Sequence, residues 1–154
     1  MPPCGMAFLS QIIAVGKIKN TSHFYAPYAE YEKRMKGKIE LIELEGRNQQ
    51  DELAKIKAKL ASSSPIIALD EKGKSLSSVE LAKKITDIQQ IKTGKFQFII
   101  GGADGLDDDI RSQADLVLSF GQLTWPHMLA RVMLIEQIYR AQQIIAGHPY
   151  HREG

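Results

Sequence analysis

The C-terminal tail of the chain carries the side chains best suited to chemistry. A phenol, an imidazole and a guanidinium follow one another at Tyr150, His151 and Arg152. An imidazole exchanges protons near neutral pH, and a guanidinium pairs with phosphate or with a developing negative charge. Chain ends are normally frayed and uninformative. This combination therefore indicates that a ligand or a partner holds the tail in place.

The elements that must position this tail alternate between apolar strands and amphipathic helices. The pattern predicts strands over 12–16, 39–44, 65–69, 96–100 and 116–120, with the third stopped by 70–73. Helices are predicted over 21–36, 49–60, 106–114 and 126–146, and the capping box Ser77-x-x-Glu80 opens a further one. Short connections between such elements favour an α/β fold, a mostly parallel sheet with helices on both faces. We expect a single domain over 1–154, with 1–5 as a flexible N-terminal extension.

Glycines follow several predicted strands, at Gly16, Gly101-Gly102 and Gly121. Ligands of open parallel sheets bind beyond the carboxyl ends of the strands, and glycine lets backbone approach a ligand closely. Glycine is also common in ordinary turns, but its recurrence at three strand ends favours one shared pocket. The order of these glycines matches neither a dinucleotide fingerprint nor a P-loop. No spacing of His or acidic residues predicts a metal site, and no G-x-S-x-G elbow supports a hydrolytic triad.

Charge is distributed unevenly along a chain whose net charge is only +2. The segment 17–38 holds six Lys or Arg against two acids, and 104–115 holds five Asp against Arg111. A basic front and a separate acidic patch suit a nucleic-acid surface, although a solvated helix face explains the basic segment equally well. The single cysteine, Cys4, fits a reducing cytoplasm. No apolar run is long enough to predict a membrane span.

The last predicted helix is apolar on more than one side. Leu129, Val132 and Met133 join Ile135 and Ile138 in excess of what one sheet-facing stripe requires. The surplus favours a homodimer interface; the alternative is a monomeric helix buried all round. His127, at the start of this helix, is expected to be an ordinary helix-start residue.

With these residues assembled, the chain resembles the bacterial ribosomal large-subunit pseudouridine N3-methyltransferases, members of the SPOUT class. The segments that carry the resemblance are spread over the whole chain, and those of the last forty residues are the most specific. They are Ile12-Ile-Ala-Val-Gly-Lys17, Leu69-Asp-x-x-Gly-Lys74, Phe98-Ile-Ile-Gly-Gly102 with Gly105, Leu118-Ser119, Leu123-Thr124-x-Pro-His127, Arg131-Val132, Glu136, Tyr139-Arg-Ala141 and His148-Pro-Tyr-His-Arg152.

The resemblance implies a C-terminal part threaded into a trefoil knot, a homodimer, and S-adenosylmethionine as methyl donor, with no metal. By position, the donor's contacts are Leu69, Gly102, Gly121, Gln122, Leu123, Thr124, Trp125 and Pro126. At Gly121 the family usually has Ser, which removes one side-chain hydrogen bond to the donor. The implied substrate is 23S rRNA in the assembled ribosome, methylated at N3 of a pseudouridine in the cytoplasm.

Methylation of that nitrogen requires loss of its proton, because N3 has no free lone pair until the proton leaves. We assign the catalytic roles to the tail: Tyr150 and His151 shape the base pocket, His151 or a water it holds takes the proton, and Arg152 grips phosphate or the anion. Arg131 and Arg140 rank second, since Glu136 and Arg140 have the spacing of a structural helix salt bridge.

The RNA contacts expected from this reading are the basic segment 17–38 together with Lys55, Lys57 and Lys59. Two rival hypotheses remain. One is a non-catalytic RNA- or ribosome-binding dimeric module, which predicts RNA affinity without binding of the methyl donor. The other is a small-molecule hydrolase or transferase on a flavodoxin-like sheet, which predicts no interaction with ribosomes.

Overall fold

Five strands and five helices alternate along residues 8–152, the part of the chain that the computed structural model describes. The predicted N-terminal extension, 1–5, lies outside these residues. The strands are β1 (Ser10–Val15), β2 (Ile39–Leu44), β3 (Ile66–Ser75), β4 (Phe96–Ile100) and β5 (Leu116–Ser119). The helices are α1 (Tyr25–Arg34), α2 (Gln49–Lys59), α3 (Ser78–Gln89), α4 (Asp108–Gln113) and α5 (His127–Ile145).

The strands form one all-parallel sheet in the order β2-β1-β4-β3-β5. Helices α1, α3 and α5 share a hydrophobic core with one face of the sheet, and α2 and α4 share a second core with the other. The predicted parallel α/β fold with helices on both faces is therefore confirmed. Within residues 8–152, no helix is long and apolar enough to cross a lipid bilayer.

Near-continuous apolar strands explain this layering. Ile12 and Ile13 point to opposite faces of β1 and are both fully buried, as are Phe98 and Ile99 on β4. Burying such a side chain stabilises the fold by about 1.5–3 kcal/mol. Strands that are apolar on both faces need helices on both sides, which is the arrangement observed.

Helix α1 begins at Tyr25, four residues later than predicted. Residues 20–24 form turns instead, closed by a hydrogen bond from the Tyr25 amide to the Ser22 carbonyl. Pro27 has no N–H and fits only the first turn of a helix. A start at Tyr25 places Pro27 in that first turn, where no intrahelical donor is lost.

Strand β3 does not end before Asp70, as predicted, but continues to Ser75 with an irregularity. Leu118 of β5 is paired with Leu69 and again with Lys74, so residues 70–73 leave the ladder between the two pairings. A Cβ at Gly73 would stand 2.5 Å from the carbonyl oxygen of Val117. Only glycine can pass this close to β5. The trefoil knot that the resemblance implies stays a prediction.

Candidate active site

A cavity of about 630 Å³ opens where β3 and β5 end, on the face covered by α1, α3 and α5. Ser75 and the segment 118–121 form its floor at the strand ends. The walls come from the three helices: Pro27 and Tyr31 of α1, Ser78 and Leu81 of α3, and Val132, Met133, Glu136 and Gln137 of α5. The cavity thus lies at the carboxyl edge of the sheet. Of the strand-end glycines that favoured one shared pocket, Gly121 lines it, whereas Gly16 and Gly101-Gly102 do not.

Gly121 is the one predicted methyl-donor contact that lines this cavity. Its φ is +108°, a backbone conformation that favours glycine. No atom lies within 4 Å of the position that a Cβ would take, so steric crowding is not the reason for glycine here. The Ser119 hydroxyl accepts a hydrogen bond from the Gly121 amide over 3.0 Å. This bond turns the chain out of β5 toward the loop that follows.

The rest of that predicted loop is exposed. Leu123 has 74% of its surface accessible, and Gln122, Thr124 and Pro126 are also exposed. The Trp125 indole is exposed as well, and its Nε1 donates to the Phe120 carbonyl over 3.3 Å. These five residues form a rim beside the cavity and are not part of its lining.

Leu69 lies within β3, before its irregularity, and Gly102 follows the neighbouring strand β4. Leu69 pairs with Ile100 on one side and with Leu118 on the other, directly behind the cavity floor. Gly102 follows β4, and a Cβ there would stand 2.8 Å from the Glu52 carboxylate of α2. Gly102 therefore lies outside the cavity lining, at the same edge of the sheet and close to α2.

The C-terminal tail folds back onto α5 beside the cavity. The Tyr150 hydroxyl donates to Glu136 Oε1 over 3.1 Å and lies 3.5 Å from the Tyr31 hydroxyl. Its ring meets the Tyr139 ring edge-on, with the centroids 4.8 Å apart. Because Tyr31 and Glu136 both line the cavity, Tyr150 is held at its wall.

Arg140 connects the tail to the same carboxylate. Its Nη2 lies 2.7 Å from Glu136 Oε1, which confirms the predicted helix salt bridge. Its guanidinium carbon lies 4.9 Å from the centre of the Tyr150 ring, and its Nη1 lies 3.0 Å from His151 Nδ1. The tail is therefore fixed as far as His151 by one arginine, while Arg152 is exposed.

The charges at this wall keep its groups in defined protonation states. Burial raises the pKa of the Tyr150 phenol, as do the hydrogen bond with Tyr31 and the negative charge of Glu136. The Glu136 carboxylate likewise raises the pKa of Arg140. Tyr150 consequently remains a hydrogen-bond donor and Arg140 remains charged throughout the physiological range.

Sequence reasoning missed the part that α1 plays. The aromatic spacing of Phe24, Tyr28 and Tyr31 predicts a helix face, but Tyr28 and Tyr31 have different environments. Tyr28 is buried in the core, whereas Tyr31 reaches the cavity and the tail. The guanidinium of Arg34 lies 5.4 Å from the centre of the Tyr31 ring. Only the docking of α1 against α5 reveals this difference.

Arg131, which ranked second among the candidate catalytic residues, holds elements of the fold together. Its side chain is fully buried, with Nη1 2.5 Å from Glu43 Oε2 of β2 and Nη2 donating to the Gly16 carbonyl over 3.1 Å. It fastens α5 to the ends of β1 and β2. His127 begins α5, as expected. Burial, helped by the nearby Arg131 charge, lowers the pKa of its imidazole.

The predicted phosphate-binding lysines fall into two groups. Lys57 is paired with Asp107 and Asp109 of the acidic patch, at 2.9 and 3.1 Å, and Lys55 donates to the Glu45 carbonyl. Lys17, Lys19, Lys33, Lys36, Lys38 and Lys59 are exposed. In the described part of the chain, no group of three His, Cys, Asp or Glu residues could hold a metal ion.

Comparison with known proteins adds independent information. The family model described as "Predicted SPOUT methyltransferase" matches residues 9–151. A protein of Rhodospirillum centenum named ribosomal RNA large subunit methyltransferase H is 46% identical over 132 residues, covering 81% of this chain and 87% of the relative. A protein of Carboxydothermus hydrogenoformans with the same name is 42% identical over 156 residues, covering 92% and 98%.

A solved structure agrees in fold. A probable methylase family protein from Haemophilus influenzae Rd KW20 matches with a TM-score of 0.55 at 12% identity, over 96% of this chain and 72% of that chain. At this identity the match supports the fold alone. The family match spans nearly all of the described residues, and the chain belongs to the SPOUT methyltransferase family.

Proposed function

We propose that this protein transfers a methyl group from S-adenosylmethionine to N3 of a pseudouridine in the 23S rRNA of the assembled ribosome. The names of its relatives support an activity on large-subunit ribosomal RNA. The observation that carries the proposal is the contact between Tyr150 and Glu136, which places the tail at the wall of the strand-end cavity. Donor pocket and tail are thereby neighbours, as methyl transfer requires.

The cavity suits the methyl donor in size and chemistry. Its volume of about 630 Å³ lies within the range typical of small-molecule sites. Leu81, Leu118 and Val132 provide apolar walls for a purine, while Ser78 and Glu136 provide polar groups for hydroxyls or an ammonium. When bound, the donor supplies an activated methyl on a positively charged sulfur. Leu69, Gly102 and the rim 122–126 remain the predicted contacts beyond the cavity.

The chain's own residues orient the base. Glu136 holds the Tyr150 phenol, and Arg140 packs on the face of that phenol ring. A rigid wall of this kind favours a near-attack geometry, which lowers the barrier mainly through positioning. Exposed Arg152 is free to grip a phosphate of the incoming RNA.

The partners follow from the surfaces around the site. Leu129, Ile144 and Ile145 of α5 are only half-buried and lie outside the cavity lining, which supports the expected homodimer. The exposed lysines of the segment 17–38 supply phosphate contacts on a large assembled surface. A ribosomal substrate places the enzyme in the cytoplasm.

The test is incorporation of labelled methyl groups into ribosomes from a strain that lacks this protein. Intact ribosomes, large subunits and naked large-subunit RNA are compared, and label at one pseudouridine, strongest with intact ribosomes, is expected. Tyr150→Ala is expected to retain donor binding while methyl transfer falls. Ribosome affinity with neither donor binding nor label would instead support the non-catalytic binding module.

A further inference from the structure

The contact between Arg140 and His151 fixes which imidazole nitrogen carries hydrogen. Arg140 Nη1 lies 3.0 Å from His151 Nδ1. A guanidinium has five N–H donors and no acceptor, so Nδ1 accepts this bond through its lone pair. A neutral imidazole has a single N–H, which then resides on Nε2. The tautomer is thus inferred from the hydrogen-bond partners.

The same contact leaves no place for a hydrogen on Nδ1 of His151. Such a hydrogen would point at the guanidinium, and two donors would then face each other. Arg140 cannot easily withdraw, because Glu136 binds it at 2.7 Å and Tyr150 packs against its face. Other charged or titratable groups of this wall include Arg34 and Tyr31 on α1, Tyr139 on α5, and His148 and Arg152 in the tail.

Glu136 does not take over the role of base. Its Oε1 accepts from the Tyr150 hydroxyl and from Nε and Nη2 of Arg140. Its Oε2 accepts from the Gln137 amide over 3.0 Å. Both carboxylate oxygens of Glu136 are therefore already engaged by donors of the protein.

We propose that His151 acts as a hydrogen-bond donor and not as the general base. The proposal deepens the proposed function, on which it rests. The N3 proton leaves to solvent water or hydroxide, and the Nε2–H of His151 donates to a carbonyl oxygen of the resulting base anion. The N3 lone pair then forms the bond to the methyl carbon, and the electron pair of the broken C–S bond stays on sulfur as a neutral thioether. This replaces the sequence-based hypothesis that His151 takes the proton.

The first experiment is the pH dependence of kcat at saturating donor and ribosomes. A histidine base would give a plateau above its pKa, ordinarily about 6.5. Solvent-assisted ionisation of the base gives instead a rate that rises about tenfold per pH unit through neutrality, without that plateau. We expect the continuous rise. A plateau beginning near the ordinary histidine pKa would overturn the proposal.

Three variants separate donor from base. His151→Gln keeps an N–H donor near Nε2 but cannot exchange a proton. His151→Asn places an amide oxygen near Nδ1 to accept from Arg140 but has no N–H at the Nε2 position, and His151→Ala has neither group. We expect His151→Ala and His151→Asn to lose about 100-fold in kcat, as when an anion-stabilising donor is removed, and His151→Gln to remain within about tenfold of the wild type. A glutamine variant as inactive as the alanine variant would contradict a donor role.

Nitrogen NMR of ¹⁵N-histidine-labelled protein tests the tautomer without any activity. The His151 signals, identified by their loss in His151→Gln, are expected to show hydrogen on Nε2 and a bare Nδ1. Arg140→Met is expected to relax this preference, and a hydrogen on Nδ1 in the wild type would overturn the inference. If the tautomer is confirmed but the wild type methylates no ribosome, the proposed function has failed and not the assignment of His151.

Discussion

His127 has an imidazole Nε2 that is shielded from solvent and has no hydrogen-bond partner among the described residues. It lies against Gly16, and its Nε2 is 3.7 Å from the position a Cβ would take there. Burial disfavours its charged form, and the Arg131 charge adds to this, so its pKa in the folded protein is lowered. His127 is therefore neutral in the folded protein at neutral pH.

This predicts an acid-sensitive contribution to stability. Below about pH 6.5 the unfolded chain binds a proton at this imidazole that the folded protein does not bind. The contribution of His127 to the free energy of unfolding should therefore be constant above about pH 6.5. As the pH decreases from there, the free energy of unfolding should decrease until the pH reaches the lowered pKa of His127 in the folded protein. Urea unfolding between about pH 5 and pH 8 measures the slope. His127→Gln should flatten it; a variant with the wild-type slope would contradict the assignment.

At this scale the types of the site residues could be predicted, but not their partners. Tyr150, His151 and Arg152 are recognisable because three reactive side chains share one short tail. Tyr31 is 119 residues from Tyr150 in sequence, and no local pattern predicts that two such hydroxyls meet. The tautomer of His151 likewise depends on Arg140, whose predicted partner was Glu136 alone.

Helix α5 is the element that joins the sheet to the candidate site. Its buried Arg131 binds Glu43 of β2 and the carbonyl of Gly16 after β1, while its Glu136 and Arg140 hold the tail. Helix α5 therefore fixes Tyr150 and His151 relative to the ends of β1 and β2.

Removal of the buried arginine should loosen this connection. Arg131→Met leaves the Glu43 carboxylate with the Ile18 amide as its remaining donor, and the Gly16 carbonyl without its side-chain donor. We expect a loss of about 3 kcal/mol in the free energy of unfolding. Urea titration measures it. The matched control is Lys83→Met, which breaks the exposed pair with Asp87 and should cost less than about 1 kcal/mol. Equal losses in the two variants would show that burial does not strengthen the Arg131 contact.

A second prediction at this scale concerns β3 where it passes β5. Gly73→Ala places a methyl 2.5 Å from the Val117 carbonyl oxygen, against backbone that cannot rotate away. We expect the free energy of unfolding to fall by about 1–3 kcal/mol. Gln113→Ala, at an exposed position in α4, should change it by no more than about 0.5 kcal/mol. Unchanged stability in Gly73→Ala would mean that the two strands lie further apart than described.

The order and type of the elements were predictable because apolar period and capping signals are local. The capping box of Ser77 and Glu80 forms as predicted, with both reciprocal hydrogen bonds. The extension of β3 to Ser75 was not predictable, since its second pairing depends on where β5 lies. Long-range strand pairing leaves no periodic signal in residues 70–73, which are polar and include a glycine.

At the scale of the whole molecule, a cluster of exposed lysines lies in the loop after β1 and around α1. Lys17, Lys19, Lys33, Lys36 and Lys38 are exposed. In contrast, Lys57 is neutralised by Asp107 and Asp109 on α4 and at its N-terminus. The side of the molecule that carries α2 and α4 therefore offers less free positive charge to RNA than the side that carries α1.

Binding to ribosomes should consequently weaken as the salt concentration rises, because lysines on the α1 side contact phosphates. Removing one lysine that pairs with a phosphate reduces the slope of log affinity against log salt by about one. Lys33→Ala with Lys36→Ala should lower that slope by about two in filter binding or sedimentation assays. Lys83→Ala, on an exposed pair with Asp87, should leave it unchanged. A double variant with the wild-type slope would place the RNA elsewhere.

During translation the strands emerge in the order β1 to β5, which differs from their order in the sheet. β4 lies between β1 and β3, so the β1–β2 pair and β3 cannot join until residues 96–100 have been made. Apolar edges at Ile12, Ile13 and Ile67 stay open over that interval, when aggregation is the main hazard for a nascent domain. Closure by β4 and then β5 therefore makes folding a late event, and the tail with its reactive side chains is the last part to dock.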